Sequence, residues 1–192
     1  MQNRPSTSAP ASVLGLASRA TDATRRADDH KPSAGVDHLF LREEQMRHAQ
    51  DLMFFAYRDF TAAADLILEE LGLGRAHHRA MHFIGRQPGI TVGELLLILR
   101  ITKQSLARVL TTLVDQRLVV QNTGRTDRRQ RLLTLTDEGM ALERRLFERQ
   151  RERLGAAYRE AGGPAVDGFR RVMRSIMDQS ARAALDKEIL PG

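Results

Sequence analysis

Residues 91–117 read TVGELLLILRITKQSLARVLTTLVDQR, and the placement of two threonines in this stretch decides the fold. Thr91 with Glu94 three residues on matches the reciprocal capping pattern, in which a hydroxyl takes the N3 amide proton and the glutamate takes the cap's own. It predicts a short helix from Val92 to about Leu99. Thr102 is a second good N-cap and opens a helix to about Arg117, with Leu106, Val109, Leu110 and Leu113 recurring on its buried side. Only Arg100 and Ile101 lie between the two, so the connection is a tight turn. The outward face of the second helix then carries Lys103, Gln104, Ser105 and Arg108, side chains that can reach phosphates and base edges.

Downstream, the β-branched pair Val119-Val120 reads as a strand, Asn122 to Arg128 as a polar loop containing Gly124, and Gln130 to Leu135 as a returning strand in which Leu133 and Leu135 alternate. Helix, turn, helix, hairpin is the winged helix-turn-helix pattern. Thr136, followed by Asp137 and Glu138, starts another helix to about Ala161, stopped by Gly162-Gly163-Pro164. A final helix from about Ala165 to Ala184 carries Phe169, Val172, Ile176 and Ala183 on one stripe.

Upstream, Asp37 to Leu71 contains neither Gly nor Pro and repeats Met46, Ala49, Met53, Ala56, Phe60, Ala63 and Ile67 at helical spacing. One long helix is expected, ended by Gly72 and Gly74, and then a second from Arg75 to Arg86 with Ala80, Phe83 and Ile84 inward, broken by Pro88-Gly89. A helix of roughly 35 residues spans ~50 Å and outruns a domain of this size, so a second chain is expected to cover it. Met1 to about Gly35 is rich in Ser, Thr, Ala and Pro and too poor in apolar bulk to offset its ordering entropy. The fold class expected is therefore mainly α with a small β-hairpin wing (α+β). It comprises a disordered arm over 1–36, an N-terminal helix over 37–72 that is expected to dimerise, a winged DNA-binding domain over 73–136, and C-terminal helices over 137–192, to which the resemblance described below also gives a dimerisation role.

The 192 residues suit one domain with appendages. Zero cysteines exclude disulfides, thiolate metal sites and catalytic thiols. No apolar run approaches the ~18 residues of a membrane span, and Met1–Pro10 lacks the basic and hydrophobic segments of a secretory signal, so no membrane association is expected and the cytoplasm is the expected location. The charge is concentrated: Arg100 to Arg131 holds eight cations against Asp115 and Asp127, a net +6 equal to that of the whole chain. A near-neutral body with one cationic stretch is the electrostatic footprint of a phosphate-docking module. There is no Gly-x-Ser-x-Gly elbow, phosphate-binding glycine loop or paired-carboxylate cluster, so neither an enzyme nor a cofactor is expected.

Three segments together, Ile101-Thr102-Lys103-Gln104-Ser105-Leu106, Asp127-Arg128-Arg129 and Leu135-Thr136-Asp137-Glu138-Gly139, give the sequence its resemblance to the MarR family of bacterial winged-helix regulators. The resemblance implies a homodimer whose first and last helices interlock while two winged modules face adjacent segments of double-stranded DNA, and by family habit a repressor. Thr102, Lys103, Gln104, Ser105 and Arg108 are the candidate recognition-helix contacts in the major groove, and Arg125, Arg128 and Arg129 the candidate wing contacts in the minor groove. The family pattern gives Asp127 the role of holding Arg129 and shaping the wing. One departure stands inside the motif: Leu95 is followed by Leu96, where the family commonly has a small residue that lets the two helices approach.

The resemblance also implies a crevice for a small anionic or aromatic effector, with Tyr57, Phe60, His78, His82 and Arg86 as candidate lining. His78 and His82 share a helix face at a spacing metal sites use, so a metal-responsive regulator is one alternative, although Arg79 after His78 breaks the His-Glu-x-x-His arrangement. A winged module used for protein contacts is the other.

Overall fold

The computed structural model describes residues 42–124 and 129–189. In chain order its elements are α1 (Glu43–Glu70), α2 (Arg75–Arg86), β1 (Ile90–Thr91), α3 (Val92–Leu99), α4 (Lys103–Asp115), β2 (Val119–Thr123), β3 (Arg131–Leu135), α5 (Asp137–Ala161), α6 (Gly163–Ile176) and α7 (Gln179–Ile189). The expected N-terminal arm and the first residues of the expected long helix lie outside the described residues. Among those described, no helix is long and apolar enough to cross a membrane.

Local capping sets the central elements. Thr91 Oγ1 accepts the Glu94 amide at 3.1 Å while Glu94 Oε2 accepts the Thr91 amide at 2.9 Å, so α3 begins at Val92. Arg100 ends it in the left-handed region (φ 51°), and its amide bonds the Leu96 carbonyl. Thr102 then caps α4 by accepting the Ser105 amide at 3.1 Å. The two helices bury Leu95, Leu99, Leu106, Val109, Leu110 and Leu113 in one shared core, each helix packing on α2. Leu96, the bulky residue in the motif, packs half-buried against this core, while Leu95 is fully buried.

Two features differ from the sequence reading. The wing is a three-stranded antiparallel sheet of order β1-β3-β2, with Ile90 paired to Leu133 and Thr91 to Leu132. A two-residue strand has no periodicity of its own; it forms because β3 offers an open edge and Ile90 can be buried to 1% exposure. On the other side β2 runs on through Asn122 and Thr123, which pair with Leu132 and Arg131. The second difference is the break in the final helix, expected to run unbroken to Ala184. Met177 is extended (ψ 143°) and Asp178 starts α7, its carboxylate accepting the Ala181 amide at 2.9 Å. Asp178 is an N-cap inside an otherwise continuous apolar period, and the cap prevails.

Helix α5 joins the sheet to the long helices, burying Leu142 and Leu146 and packing on α1 and α2. Its start is locked to the turn between α4 and β2. Thr136 Oγ1 donates to the Arg117 carbonyl (2.7 Å) and accepts the Gly139 amide (3.0 Å), and the Thr136 amide donates to the Leu118 carbonyl (3.1 Å). Gly139 lies so close that a Cβ there would sit 2.0 Å from the Leu118 oxygen. Backbone, not a flexible side chain, fills that space. Gly139→Ala is therefore expected to destabilise the fold by about 3 kcal/mol or more, read as a lowered urea midpoint with unchanged m-value.

Candidate nucleic-acid interface

The N-terminal end of α4 gathers the five recognition-helix candidates. Thr102, Lys103, Gln104, Ser105 and Arg108 are all solvent-exposed, while the opposite face supplies the core. Thr102 is the helix cap, and its hydroxyl donates to Ser105 Oγ at 2.9 Å. Of the two hydroxyls, Ser105 therefore keeps its proton available for an external acceptor. The side chains of Lys103, Gln104 and Arg108 enter no hydrogen bond or ion pair with other described residues. Gln104 and Arg108 stand one turn apart, and Thr111, also exposed, continues their face. Thr111 was not singled out from the sequence, although its spacing of seven from Gln104 marks it.

Beside α4, β2 and β3 carry the wing outward. The Gly124 amide donates to the Gln130 carbonyl at 3.0 Å, and Arg131 Nη1 donates to Thr123 Oγ1 at 2.7 Å, holding the strand ends together below the tip. Arg125, Asp127 and Arg128 lie outside the described residues, and with them the expected Asp127–Arg129 bond. Arg129 is exposed at the edge of the tip.

The candidate effector residues occupy two neighbouring elements. Tyr57 on α1 is exposed and lies under the Arg75 guanidinium, 5.8 Å from ring centroid to carbon, while Arg75 also clamps Asp65 at 2.7 Å. Phe60 is half-buried on α1, and Arg86 is exposed at the end of α2. His82 Nδ1 lies 3.4 Å from Glu143 Oε1 of α5 and meets Phe83 edge-to-face at 5.2 Å. Two surface clefts lie elsewhere, one between α4 and β2 around Val114, Arg117 and Val120, the other around Arg100, Asp178 and Ser180. Among the described residues, no group of three His, Cys, Asp or Glu side chains has a metal-binding arrangement.

Comparison with known proteins bears on this arrangement. A sequence model of the MarR family matches residues 71–130. The HTH-type transcriptional regulator PetP of Rhodobacter capsulatus is 54% identical over 156 residues, covering 81% of this chain and 93% of that protein. The chain belongs to the MarR family. Solved MarR-family structures share its fold at low identity. A SlyA-like regulator from Listeria monocytogenes superposes with a TM-score of 0.59 at 18% identity, over 71% of this chain and 90% of that one. A mutant MarR from E. coli complexed with operator DNA gives 0.57 at 18%, over 70% and 97%. The MarR-family match takes in α2, the helix pair and β2, and with them the cationic stretch from Arg100 up to, but not including, Arg131.

Helix α2 of this MarR-family regulator adds a titratable feature that spacing alone does not show. His77, its third residue, accepts the Gly74 amide on Nδ1 at 3.0 Å, doing for a glycine N-cap what glutamate does in a capping box. That bond needs an unprotonated nitrogen. Burial holds His77 below its ordinary value of 6.5. His78 is also lowered, by burial first and then by His82, against the smaller opposing pull of Glu143 and Asp65. The folded chain thus disfavours the imidazolium at both rings, and the unfolded chain binds more protons between the lowered values and 6.5. Stability from these groups is complete above about pH 6.5 and is lost as pH falls through the lowered range. The melting temperature should fall from pH 7.5 to pH 5. His77→Gln, which retains the reciprocal cap, should lessen that fall; an undiminished fall in this variant would exclude His77 as a contributor.

Proposed function

We propose that this MarR-family transcriptional regulator is a cytoplasmic homodimeric repressor that inserts the N-terminal turn of α4 into the major groove of a pseudo-palindromic operator. The observation that carries this reading is the outward, uncommitted set Lys103, Gln104 and Arg108 at a capped helix end, beside a wing inside the same cationic stretch. Gln104 can pair bidentately with adenine and Arg108 with guanine. Ser105 and the α4 amides suit a phosphate, and Arg125, Arg128 and Arg129 suit the narrow minor groove. The DNA complex of the E. coli relative supports the same use of the fold. The repressor sense rests on the family resemblance, and the cytoplasmic location on the sequence reading above.

Dimerisation is supported by large apolar side chains that stand more than half exposed. Phe54, Phe55 and Leu52 on α1 are 64%, 56% and 56% exposed, and Val172 and Ile176 on α6 are 59% and 58% exposed. Large apolar side chains exposed in such number are the kind of surface that an interface covers. Two recognition helices related by a twofold axis imply half-sites ~10–10.5 base pairs apart. The effector site remains assigned to Tyr57, Phe60, His78, His82 and Arg86, where α1 and α2 meet.

Selection of bound duplexes from a random library supplies the probe. Arg108→Ala should weaken binding to the selected duplex about tenfold or more and relax discrimination at one base position, whereas Arg125→Ala should weaken selected and random duplexes alike and lower the salt slope by about 1. Binding without any slope in ionic strength would instead indicate a protein-docking module. Light scattering should give twice the chain mass for the native protein and a shift to monomer for Phe54→Asp; a native monomer would overturn the dimeric reading.

A further inference from the structure

Arg100 occupies the turn that sets the direction of the recognition helix, and it does so in a backbone conformation costly for a residue with a side chain. Its φ of 51° lies in the left-handed region that glycine or asparagine fills more readily. A left-handed arginine calls for an account of its side chain. That side chain reaches across the fold to the start of α7: Nη1 lies 2.6 Å from Asp178 Oδ2, and Nη2 donates to Ser180 Oγ at 2.8 Å. The receiving pair is itself organised, since Ser180 Oγ donates to Asp178 Oδ1 at 2.7 Å and the Ala181 amide donates to the same oxygen. The Asp178 carboxyl is held below its ordinary value, first by the Ala181 amide, then by Ser180, with Arg100 adding to both.

Two residues, Ile101 and Thr102, separate Arg100 from Lys103, and the three steps of chain span at most about 11 Å. Arg100 therefore stands at the end of α4 that the proposed reading sends to the duplex. The guanidinium fork fits a phosphate as well as it fits a carboxylate. Its pair with Asp178 is exposed on both sides, and such pairs are weak in water. A phosphodiester can compete for it.

We infer that Arg100 is a further phosphate-binding residue, held in reserve by Asp178 and Ser180, so that the start of the C-terminal helix sets how many phosphates the helix-turn-helix engages. This rests on the DNA-binding reading above and adds to it a control element located in α7. While Asp178 holds Arg100, one cation is withheld from the duplex; when α7 shifts or a phosphate displaces the carboxylate, it is returned.

The test uses the full chain and a labelled random-sequence duplex, titrated over a range of salt, with Asp178→Asn, Arg100→Ala and the double variant. Asparagine caps a helix as well as aspartate, so α7 keeps its start. Asp178→Asn should bind several-fold tighter at low salt and steepen the log–log salt slope by about 0.9, the signature of one added phosphate contact. In the Arg100→Ala background the same substitution should change neither. A gain that persists without Arg100 overturns the inference, because it then reflects only the removal of a negative charge. Unchanged or weakened binding by Asp178→Asn also overturns it, leaving Asp178 a role in holding the turn. Absence of salt-dependent binding by the native chain overturns the DNA-binding reading and this inference together.

Discussion

The close approach of Gly139 to the Leu118 carbonyl is the constraint on which the arrangement of the whole molecule depends. Helix α4 must stop, reverse through the left-handed Arg117 and enter β2 within a few residues, and α5 must start against that reversal. Thr136 serves both sides of the joint, donating to one carbonyl and accepting an amide of its own helix. Since α5 then runs 25 residues toward the long N-terminal helix, a small angular error at its root would displace its far end by many ångströms. A missing side chain at one position fixes that angle. The Leu-Thr-x-x-Gly pattern thus has a physical reading: a pairing strand end, a bifunctional cap, and a glycine admitted where backbone occupies the space of a Cβ.

The parts of the fold legible in the sequence are those governed by local chemistry. Thr91, Thr102 and Thr136 each cap the helix they announce, because a hydroxyl three residues before a free amide acts without reference to the rest of the chain. The buried stripe of α4 was equally legible, and so therefore was its outward face. What escaped depended on distant partners. Strand β1 exists because β3, some forty residues later, has an unpaired edge. The break at Asp178 lies in a stretch with helical periodicity on both sides, where a single aspartate outweighs the pattern. His77 as a cap partner was hidden because histidine rarely takes that place.

The site divides along the same line. Exposure that follows from lying at a capped helix end was legible by spacing, and the side chains of Lys103, Gln104 and Arg108 are exposed and uncommitted there. Residues whose role depends on which helices meet were not: Tyr57 turns to Arg75 and His82 to Glu143, contacts that no spacing on either helix encodes. Cation counting singled out the stretch from Arg100 to Arg131 without separating its members. In the fold they differ in kind, Arg100 tied to α7, Arg131 bracing the strands through Thr123, and Arg108 open to solvent.

Thr91 belongs at once to the last residue of β1 and to the cap of α3. Its strand partner is Leu132, adjacent to Arg131 at the tip end of the paired strands. A pull on the hairpin is passed by the ladder into the first turn of α3, with no intervening loop to absorb it. The hairpin and the helix pair are thus hinged at no loop on this side, and the lever that joins them is two ladder pairs long.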